Sequence, residues 1–400
     1  MSKDNKGIGS EITTMLKSNI RSYAMYIALV AIFVIFNITT GGDFLSANNI
    51  TNLINQTGYV AVLAIGMTLI LIIRNIDLSV GFVAGFTGAI SAKLMFSYGV
   101  NVYVAILAAL GIGALIGLYQ GALVVYVKVP AFVTTLAGMF IFKGLLLLIT
   151  MGGGAIIVKD TFFTAICDAC IPDLPSTIRF LPGMHNLTIY IGIIGVALAV
   201  FSQTKARMKK QKYGFKVISA PLFILGLIAA AAIVMAVTML LASFNGIPWA
   251  AVIVGVLLFV YNFMLNRTTF GRYIYGIGGN PEAAELSGIN VNKVMLLCFV
   301  SMSTIAALAG IMYTSRLRSA LPNAGIGFEL DAIASAYIGG VAVSGGVGKV
   351  TNTIIGALII MSLTSGFLLM NVDIAYQYIA KGVIFIVAVA FDVLSRKKRA

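Results

Sequence analysis

The sequence predicts an all-α polytopic membrane protein with about ten to twelve transmembrane helices, some of them broken or re-entrant. Of its 400 residues, 60% are hydrophobic and only 10% are charged, whereas a soluble domain carries roughly 25% charged residues. The apolar residues come in runs of about 20, the length that a helix needs to cross a bilayer. Unbroken runs also disfavour a barrel, whose strands alternate apolar and polar residues. This composition excludes a soluble enzyme, a disordered protein and a disulfide scaffold.

Twelve apolar segments follow one another along the chain, and each of them predicts one helical span. Those near 76–97 and 329–345 are rich in Gly, Ser and Ala, so we expect broken or re-entrant helices there. The first segment has no small-residue cleavage site after it, which predicts a retained span. We expect a single membrane domain, 21–393, between a polar arm, 1–20, and a basic tail, 394–400. The predicted spans lie at about 21–41, 52–73, 76–97, 101–127, 131–150, 187–203, 216–242, 247–265, 292–314, 329–345, 351–371 and 376–393.

The basic residues predict how these spans are oriented. The net charge is +14, and Lys and Arg gather in the arm, in loop 204–216, in loop 266–291 and in the tail. Short loops rich in Lys and Arg face the cytoplasm. Six, two and four predicted crossings separate these clusters in turn, and since all three numbers are even, the clusters share one side. Both termini are therefore expected in the cytoplasm, and loop 151–186 is the longest external loop.

Four further basic residues test this orientation. Arg74 and Lys128 fall on the cytoplasmic side, in agreement with it. Arg316 and Arg318 fall on the external side. The region around them is therefore the exception to the rule that basic residues gather on the cytoplasmic side.

Residues that could carry catalysis or bind a metal are few. His185 is the only histidine, which excludes a multi-histidine metal site or a haem bundle. Cys167 and Cys170 have no second pair of cysteines, so zinc is disfavoured, and either a local disulfide or two free thiols remain. The glycine-rich segment 345–351 lacks the spacing of a phosphate loop and is interpreted as a turn between two spans. We therefore expect neither an enzyme nor a cofactor or metal bound by this chain.

Loop 266–291 is the most informative stretch of the sequence. A glycine-rich turn is followed by Asn280, a good helix cap, and by Pro281, which is favoured at the first helical position. Glu282 lies in the first turn, where the helix dipole favours an acid, and Gly288 ends the helix about two turns later. A short helix between spans has no core of its own, so we expect it to dock on a partner outside the membrane. A helix lying on the lipid surface is disfavoured by its two acids and few apolar residues.

Polar residues beside or within the apolar segments are the candidates for a path across the membrane. An acid in lipid is costly and is a functional candidate by default. Asp77, however, lies at the start of a span that Ser79 opens, and we favour a structural role at that helix start. Asp331 has the same two interpretations at the start of a later span. Three further residues could line a path or pack between helices, with equal weight: Phe132, Thr134 and Thr135.

Lysines and repeated glycines in the spans have simpler interpretations. We expect Lys93 and Lys143 to extend toward an interface, with Lys143 as a second choice for the path. Glycines that recur every fourth residue allow helices to approach closely in lipid, and packing is the favoured role for both repeats. These repeats are Gly81 and Gly85, and Gly113, Gly117 and Gly121.

Four motifs, kept in order along the chain, resemble those of one family. They are Asn-Ile-Asp-Leu-Ser-Val-Gly at 75–81, Val-Pro-Ala-Phe-Val-Thr-Thr-Leu at 129–136, Gly-Gly-Asn-Pro-Glu-Ala-Ala at 278–284, and Phe-Glu-Leu-Asp-Ala-Ile-Ala at 328–334 with the glycines up to 348, continued at 377–378 and 381–382. Over about 44–393, the chain resembles the permease subunits of bacterial monosaccharide ABC importers of the ribose, galactose and xylose type. The basic loop and two additional spans within 204–265 make it similar to the xylose or multiple-sugar branch.

The resemblance implies partners and a mechanism. A second permease copy, an external sugar-binding protein and a cytoplasmic ATP-binding subunit with tandem cassettes would assemble around this chain in the bacterial cytoplasmic membrane, among its lipids and without nucleic acid. The ATP-binding subunit would use ATP and magnesium to move a coupling helix, so that xylose or a similar sugar crosses. If Gly279 has a positive φ, its replacement should abolish the turn before that helix. The residues that would insert into the ATPase are Gly279, Asn280, Pro281, Glu282, Ala283, Ala284, Glu285, Ser287 and Gly288.

Other functions share some of these features. Permeases for branched-chain amino acids or nucleosides are similar in the late glycine-rich signature, whereas the segment at 278–284 favours sugars. An ion-driven secondary transporter would use an acid such as Asp77 or Asp331 at mid-membrane, but the capped cytoplasmic helix argues against it. A membrane enzyme is disfavoured, because the sequence lacks a nucleophile–base pair, a metal cluster and a nucleotide loop.

Overall fold

The computed structural model describes residues 20–151, 154–175, 180–215 and 217–397, so nearly all of the predicted arm lies outside the described residues. Within these ranges the chain forms fifteen α-helices and a short 3₁₀ helix at Asp43–Leu45. The helices are α1 (Ile20–Thr39), α2 (Ala47–Ile72), α3 (Val80–Tyr98), α4 (Val102–Val125), α5 (Ala131–Thr150), α6 (Thr161–Asp168), α7 (Asn186–Lys212), α8 (Ala220–Ala242), α9 (Trp249–Arg267), α10 (Thr269–Gly279), α11 (Pro281–Leu286), α12 (Val291–Leu317), α13 (Phe328–Ile338), α14 (Val350–Leu369) and α15 (Ile374–Lys397).

Helices of membrane-spanning length make up most of the structure. Nine helices of the described ranges are long and apolar enough to cross a bilayer: α2, α3, α4, α5, α7, α8, α9, α12 and α14. Two shorter apolar helices, Ala24–Thr39 and Ile374–Val387, lie within α1 and α15. The strands β1 (Ile156–Ile157) and β2 (Ser319–Ala320) form an antiparallel pair of two residues each. The predicted all-α polytopic class is therefore confirmed.

The chain divides into two compact units. The smaller unit is built mainly from Cys170–Ile247 and contains α7 and α8, which approach closely where Gly192 meets Thr238. The larger unit contains α3 to α6 and all helices from α9 onward. The predicted addition at 204–265 is thus divided, with α8 in the smaller unit and α9 in the larger. The single membrane domain expected over 21–393 stays a prediction.

Repeated glycines allow close helix packing in the larger unit. A Cβ added at Gly117 of α4 would lie 2.5 Å from the carbonyl oxygen of Phe299 in α12, so the two helices touch backbone to backbone. Gly81 and Gly85 of α3 allow the loop before α13 to approach, since an added Cβ would meet the carbonyl oxygens of Gly325 and Ala324 in that loop. These contacts confirm the packing role of both repeats.

Several boundaries differ from the prediction in the same way. α7 continues through Lys212, so most of the predicted basic loop 204–216 is helical, and α15 continues to Lys397 in the predicted tail. The predicted loop 151–186 contains α6 and β1. Charged residues end an apolar run but are good helix formers, so hydropathy does not reveal where a helix continues beyond the lipid.

Of the two segments expected to be broken, only the later one departs from a full span. α3 begins at Val80 after a non-helical stretch and continues unbroken to Tyr98, long enough to cross a bilayer, so the break expected near 76–97 is wrong. α13 has 11 residues and ends at Ile338, which makes it about 16 Å long against a hydrocarbon core of about 30 Å. The chain then continues as a loop, residues 339–349, which we call the glycine loop. α13 is therefore long enough to cross only about half of a bilayer.

Candidate functional site

The candidate site consists of α10, α11 and the two residues after them, residues 269–288, which we call the coupling segment. The expected glycine-rich turn before α11 is wrong, because residues 269–279 form the helix α10. Its buried residues Gly271, Ile274, Ile277 and Gly278 recur at helical spacing and give it one inward face. Two of these four are glycines, so the apolar stripe is weak in the sequence and was missed.

The capping pattern predicted for α11 is present in the structure. The Oδ1 atom of Asn280 accepts a hydrogen bond from the backbone N–H of Ala283 at 3.0 Å, and Pro281 is the first helical residue. Gly288 follows the helix with a φ of +84°, a conformation that suits glycine. Asn280 and Gly288 therefore define the start and the end of a separate short helix.

Most of α11 is exposed. Ala284 is buried at 5% exposure, whereas Glu282 and Glu285 are exposed and Leu286 is 91% exposed. An isolated helix of six residues is too short to be stable in water, so contacts must hold it. Within this chain those contacts involve the side of Ala284, and the opposite side presents two acids and a leucine.

Arg74 joins the coupling segment to the end of α2. Its Nε atom donates a hydrogen bond to the carbonyl oxygen of Gly278 at 2.7 Å, and its Nη2 atom donates to that of Gly279. These two carbonyls lie at the C-terminal end of α10, where the helix has unpaired acceptors and a negative dipole end. A cation is therefore well placed there, and Arg74 adopts a positive φ of 63° in this position.

The glycine loop completes this junction from a third direction. The backbone N–H of Gly346 donates to the carbonyl oxygen of Ile72 at 2.9 Å, and the hydroxyl of Tyr275 in α10 donates to that of Gly348 at 2.8 Å. We call Arg74, the end of α10 and the glycine loop together the three-way junction. The sequence predicts that this loop is a turn between spans. In the structure the loop also packs against the end of α10.

The neighbouring glycines at the end of α10 differ in their surroundings. A Cβ at Gly278 would lie 2.0 Å from the carbonyl oxygen of Ile72 and 2.6 Å from the nitrogen of Gly346. A Cβ at Gly279 would meet nothing within 4 Å, and the φ of Gly279 is not positive. The condition under which replacement of Gly279 should abolish a turn, a positive φ, is therefore not met, and Gly278 is the constrained residue.

Basic residues near the two ends of α12 bear on the predicted orientation. Arg74 lies at the three-way junction, and the ammonium of Lys128 is 3.4 Å from Asn292 at the start of α12. Both residues thus lie on the same side of the helices as the coupling segment. This agrees with the expectation that they share one side with loop 266–291. The exception, Arg318, lies after the other end of α12, where its Nε is 2.9 Å from a carboxylate oxygen of Asp168. This acid offsets the charge that breaks the pattern.

Asp77 and Ser79 meet in a buried turn before α3. One carboxylate oxygen of Asp77 accepts hydrogen bonds from the backbone N–H and the hydroxyl of Ser79, at 2.9 and 2.7 Å. Gln120, which sequence reasoning missed, donates its amide to the Ser79 hydroxyl at 2.9 Å. Both acid and serine are fully buried, and the second oxygen of Asp77 has no hydrogen-bond partner within the described ranges. This geometry favours the structural interpretation, although Ser79 and not Asp77 is the cap residue.

Three residues in the first turns of α5 were expected either to line a path or to pack between helices: Phe132, Thr134 and Thr135. Their environments differ. Thr135 is buried, and its hydroxyl donates to the carbonyl oxygen of Ala131 at 2.9 Å and lies 3.3 Å from that of Ile76. Thr134 is 5% exposed, whereas Phe132 is 54% exposed. Thr135 thus connects α5 to the turn around Asp77, while Phe132 faces away from the bundle of this chain.

Asp331 forms an ion pair that sequence reasoning did not identify. The ammonium of Lys381 in α15 lies 3.0 and 3.2 Å from the two carboxylate oxygens of Asp331 in α13. Both side chains are 20% exposed. Lys381 lies 50 residues from Asp331, and nothing in the local pattern could have paired them.

The remaining candidates are ordinary in their surroundings. Lys93 donates a hydrogen bond to the carbonyl oxygen of Ile149 at 3.1 Å, and the ammonium of Lys143 lies 5.6 Å from the centre of the Phe82 ring. Cys167 is buried and forms no disulfide with Cys170 in the structure.

Comparison with known proteins identifies the family of this chain. The model of the branched-chain amino acid transport system / permease component family matches residues 49–389. The chain belongs to this permease family. The xylose transport system permease protein XylH of Haemophilus influenzae is 38% identical over 384 residues, which cover 96% of this chain and 99% of that protein. With nine candidate spans in the described ranges, the chain is a multi-pass permease of the inner membrane.

Further relatives carry related names. XylH of Escherichia coli K12 is also 38% identical, over 96% of this chain and 94% of that protein. The ribose import permease protein RbsC of the same organism is 34% identical over 367 residues, which cover 91% of this chain and 92% of that protein. No solved structure matches the chain.

Proposed function

We propose that this chain is the membrane-spanning subunit of an ATP-driven importer for a pentose, with xylose as the first candidate. The names of its relatives, xylose and ribose permeases, support a sugar substrate. Two copies of the chain would enclose the path in a bacterial cytoplasmic membrane, and an external sugar-binding protein would deliver the sugar. A cytoplasmic ATP-binding subunit with tandem cassettes would use ATP and magnesium, while this chain binds no nucleotide.

The observation that carries the proposal is the contrast between the two helices of the coupling segment. The end of α10 is held at the three-way junction, whereas α11 exposes Leu286 together with two acidic residues. Burial of a leucine side chain contributes about 1.5–3 kcal/mol, so Leu286 would contribute to the stability of a docked complex. Glu282 and Glu285 would pair with basic groups of the ATP-binding subunit around it.

The junction also provides a mechanical connection. When the ATP-binding subunit moves α11, α10 would move with it, because only Asn280 separates the two helices. Arg74 would carry this motion to the end of α2, and the contacts of Gly278 and Tyr275 would carry it to the glycine loop. That loop continues directly into α14 and follows directly from α13. The connection therefore reaches three helices of the permease without chemistry in this chain.

Co-purification with the ATP-binding subunit tests this proposal. The wild-type chain and Glu282→Arg would each be co-expressed with the subunit encoded nearby and purified through a tag on the permease. We expect the wild type to retain the ATPase and Glu282→Arg to lose most of it, because the substitution puts a cation where an acid is needed. The matched control is Asp373→Arg, an exposed acid after α14, at the end of α14 away from the glycine loop. This control should retain the ATPase.

Two results would contradict the proposal. One is retention of the ATPase by Glu282→Arg to the same extent as by the control, provided that all variants elute as folded protein. The other is uptake by proteoliposomes that continues without ATP while an ion gradient is maintained, which would instead support a secondary transporter. Uptake of labelled xylose, ribose and leucine by the complete complex would identify the solute, and preference for leucine would favour the amino acid alternative.

A further inference from the structure

A cavity of about 330 Å³ lies between α13, α14 and α15 in the larger unit. Asp331 of α13 and Lys381 of α15 contribute to its wall, together with Thr364 of α14 and with Gln377 and Tyr378 of α15. Its volume is at the lower end of the range of about 300–1,000 Å³ that small-molecule sites occupy. The cavity is therefore of a size for one small polar molecule, and it is separate from the coupling segment.

The wall combines two kinds of surface. The ion pair between Asp331 and Lys381 supplies both acceptors and donors, and the wall also includes the polar residues Gln377 and Thr364. The rest of the wall is apolar, with the rings of Tyr378 and Phe385. A sugar ring has hydroxyl groups around its edge and C–H groups on its faces, so it needs this combination. A lipid chain, by contrast, would gain nothing from a charged pair in the wall.

The ion pair itself needs an explanation. Charged groups within the membrane are costly and usually face a bundle interior or a water-filled cavity. The pair is 20% exposed, so it is neither fully buried nor in bulk solvent. Replacement of a buried ion pair by apolar residues is often neutral or stabilising, so stability alone is a weak reason for its presence. Orientation of a polar ligand is a sufficient reason.

We propose that this cavity is a low-affinity binding site for an aldopentose in its ring form, on the path across the membrane. The inference rests on the proposed function, and it adds the place where the sugar is held. Asp331 accepts hydrogen bonds from sugar hydroxyls, and Lys381 donates to neighbouring oxygens. The ring of Tyr378 covers one apolar face of the sugar.

The position of Asp331 connects this site to the coupling segment. Asp331 lies about two turns before the end of α13, and α13 ends at Ile338, where the glycine loop begins. A shift of the glycine loop at the three-way junction therefore moves α13 relative to α15 and separates or closes the pair. In this way the ATP-binding subunit would change the affinity of the cavity.

Protection from cysteine labelling tests the site on the full permease in lipid nanodiscs, without any partner. The three native cysteines are replaced, Thr364→Cys is introduced, and the rate of labelling by a small thiol reagent is measured with D-xylose or with mannitol. At a xylose concentration about ten times the dissociation constant, labelling should slow about tenfold, because only the unliganded fraction reacts. Mannitol, which forms no ring, should leave the rate unchanged.

Variants separate a sugar site from a merely structural ion pair. Asp331→Asn and Lys381→Gln should each abolish the protection by xylose, and the matched control Lys93→Gln, in α3 away from the cavity, should retain it. Equal rates with xylose and mannitol would overturn the inference, and so would full protection in Asp331→Asn. Slow labelling that speeds up only after delipidation would indicate a lipid in the cavity and would also overturn it.

Failure of this inference differs from failure of the proposed function. If the permease retains its ATPase and the complex imports a pentose, but xylose gives no protection, the function stands and the site is wrong. If the wild-type chain does not associate with an ATPase at all, the proposed function is wrong. Should Asp331→Asn fail to fold, the rate for the Thr364→Cys chain alone still decides, because it requires no change to the pair.

Discussion

Replacement of one of the two glycines at the end of α10 gives the sharpest test of the coupling geometry. Gly278 and Gly279 are neighbours in the same helix, so alanine changes their helix propensity in the same direction, by up to about 1 kcal/mol. They differ in what a methyl group meets. At Gly278 it would lie 2.0 Å from the carbonyl oxygen of Ile72, whereas at Gly279 it meets nothing within 4 Å.

The size of the effect follows from these distances. Non-bonded heavy atoms prefer separations of about 3.5–4.0 Å, so a contact of 2.0 Å requires a shift of more than about 1 Å. The atoms in contact belong to the backbones of α2 and the glycine loop and cannot rotate away. Overpacking of this kind costs about 1–3 kcal/mol. If that energy opposes the position of the coupling segment at the three-way junction, the equilibrium ratio of the segment in place to the segment displaced falls about 5–150-fold.

Transport by reconstituted complexes is the assay. We expect Gly278→Ala to reduce ATP-driven uptake about tenfold or more while the ATPase still co-purifies, because α11 and its exposed face remain. Gly279→Ala should transport at close to the wild-type rate, and thermal unfolding should establish that both variants are folded. Equal uptake by the two variants would refute the claim that the three-way junction transmits the motion.

Three further changes test other parts of the structure. Asn280→Ala removes the cap that accepts from Ala283 and should weaken α11 by about 0.5–2 kcal/mol, seen as weaker binding of the ATPase, whereas Asn280→Asp should bind normally. Arg74→Gln loses the two charge-assisted hydrogen bonds to α10, which together contribute about 1.5 kcal/mol or less at a partly exposed site, so uptake should fall about tenfold or less with the ATPase still bound. Burial acts to raise the pKa of Asp173, but backbone N–H groups, that of Leu187 first, outweigh it and hold this pKa below its ordinary value of 3.8. A lowered pKa in the folded state stabilises the fold above the pKa of the unfolded chain, and this contribution is lost as pH falls. Wild-type thermal stability should therefore decline more steeply below about pH 4 than that of Asp173→Asn, and equal slopes would contradict this reasoning.

The parts of the fold that depend on local chemistry could be predicted from the sequence. Apolar runs identified the membrane-length helices, and the cap at Asn280, the proline after it and the final Gly288 predicted α11 correctly, since each depends on residues a few positions away. Contacts between distant segments could not be predicted in this way. Lys381 pairs with Asp331 across two helices, and no pattern in a single sequence specifies such a partner.

The glycines illustrate this limit most clearly, because one residue type satisfies three different physical demands. Gly288 is required by its own backbone, whose φ is positive, and a cap pattern predicts such a position. Gly117 is required because a neighbouring helix packs against it, and the recurrence of glycine at every fourth residue predicts this packing. Gly278 has neither a positive φ nor a repeat, and it is constrained because α2 and the glycine loop approach it from elsewhere in the chain. A three-way contact has no period along the sequence, so the residue that most tightly constrains the coupling segment is the one that the pattern could not identify.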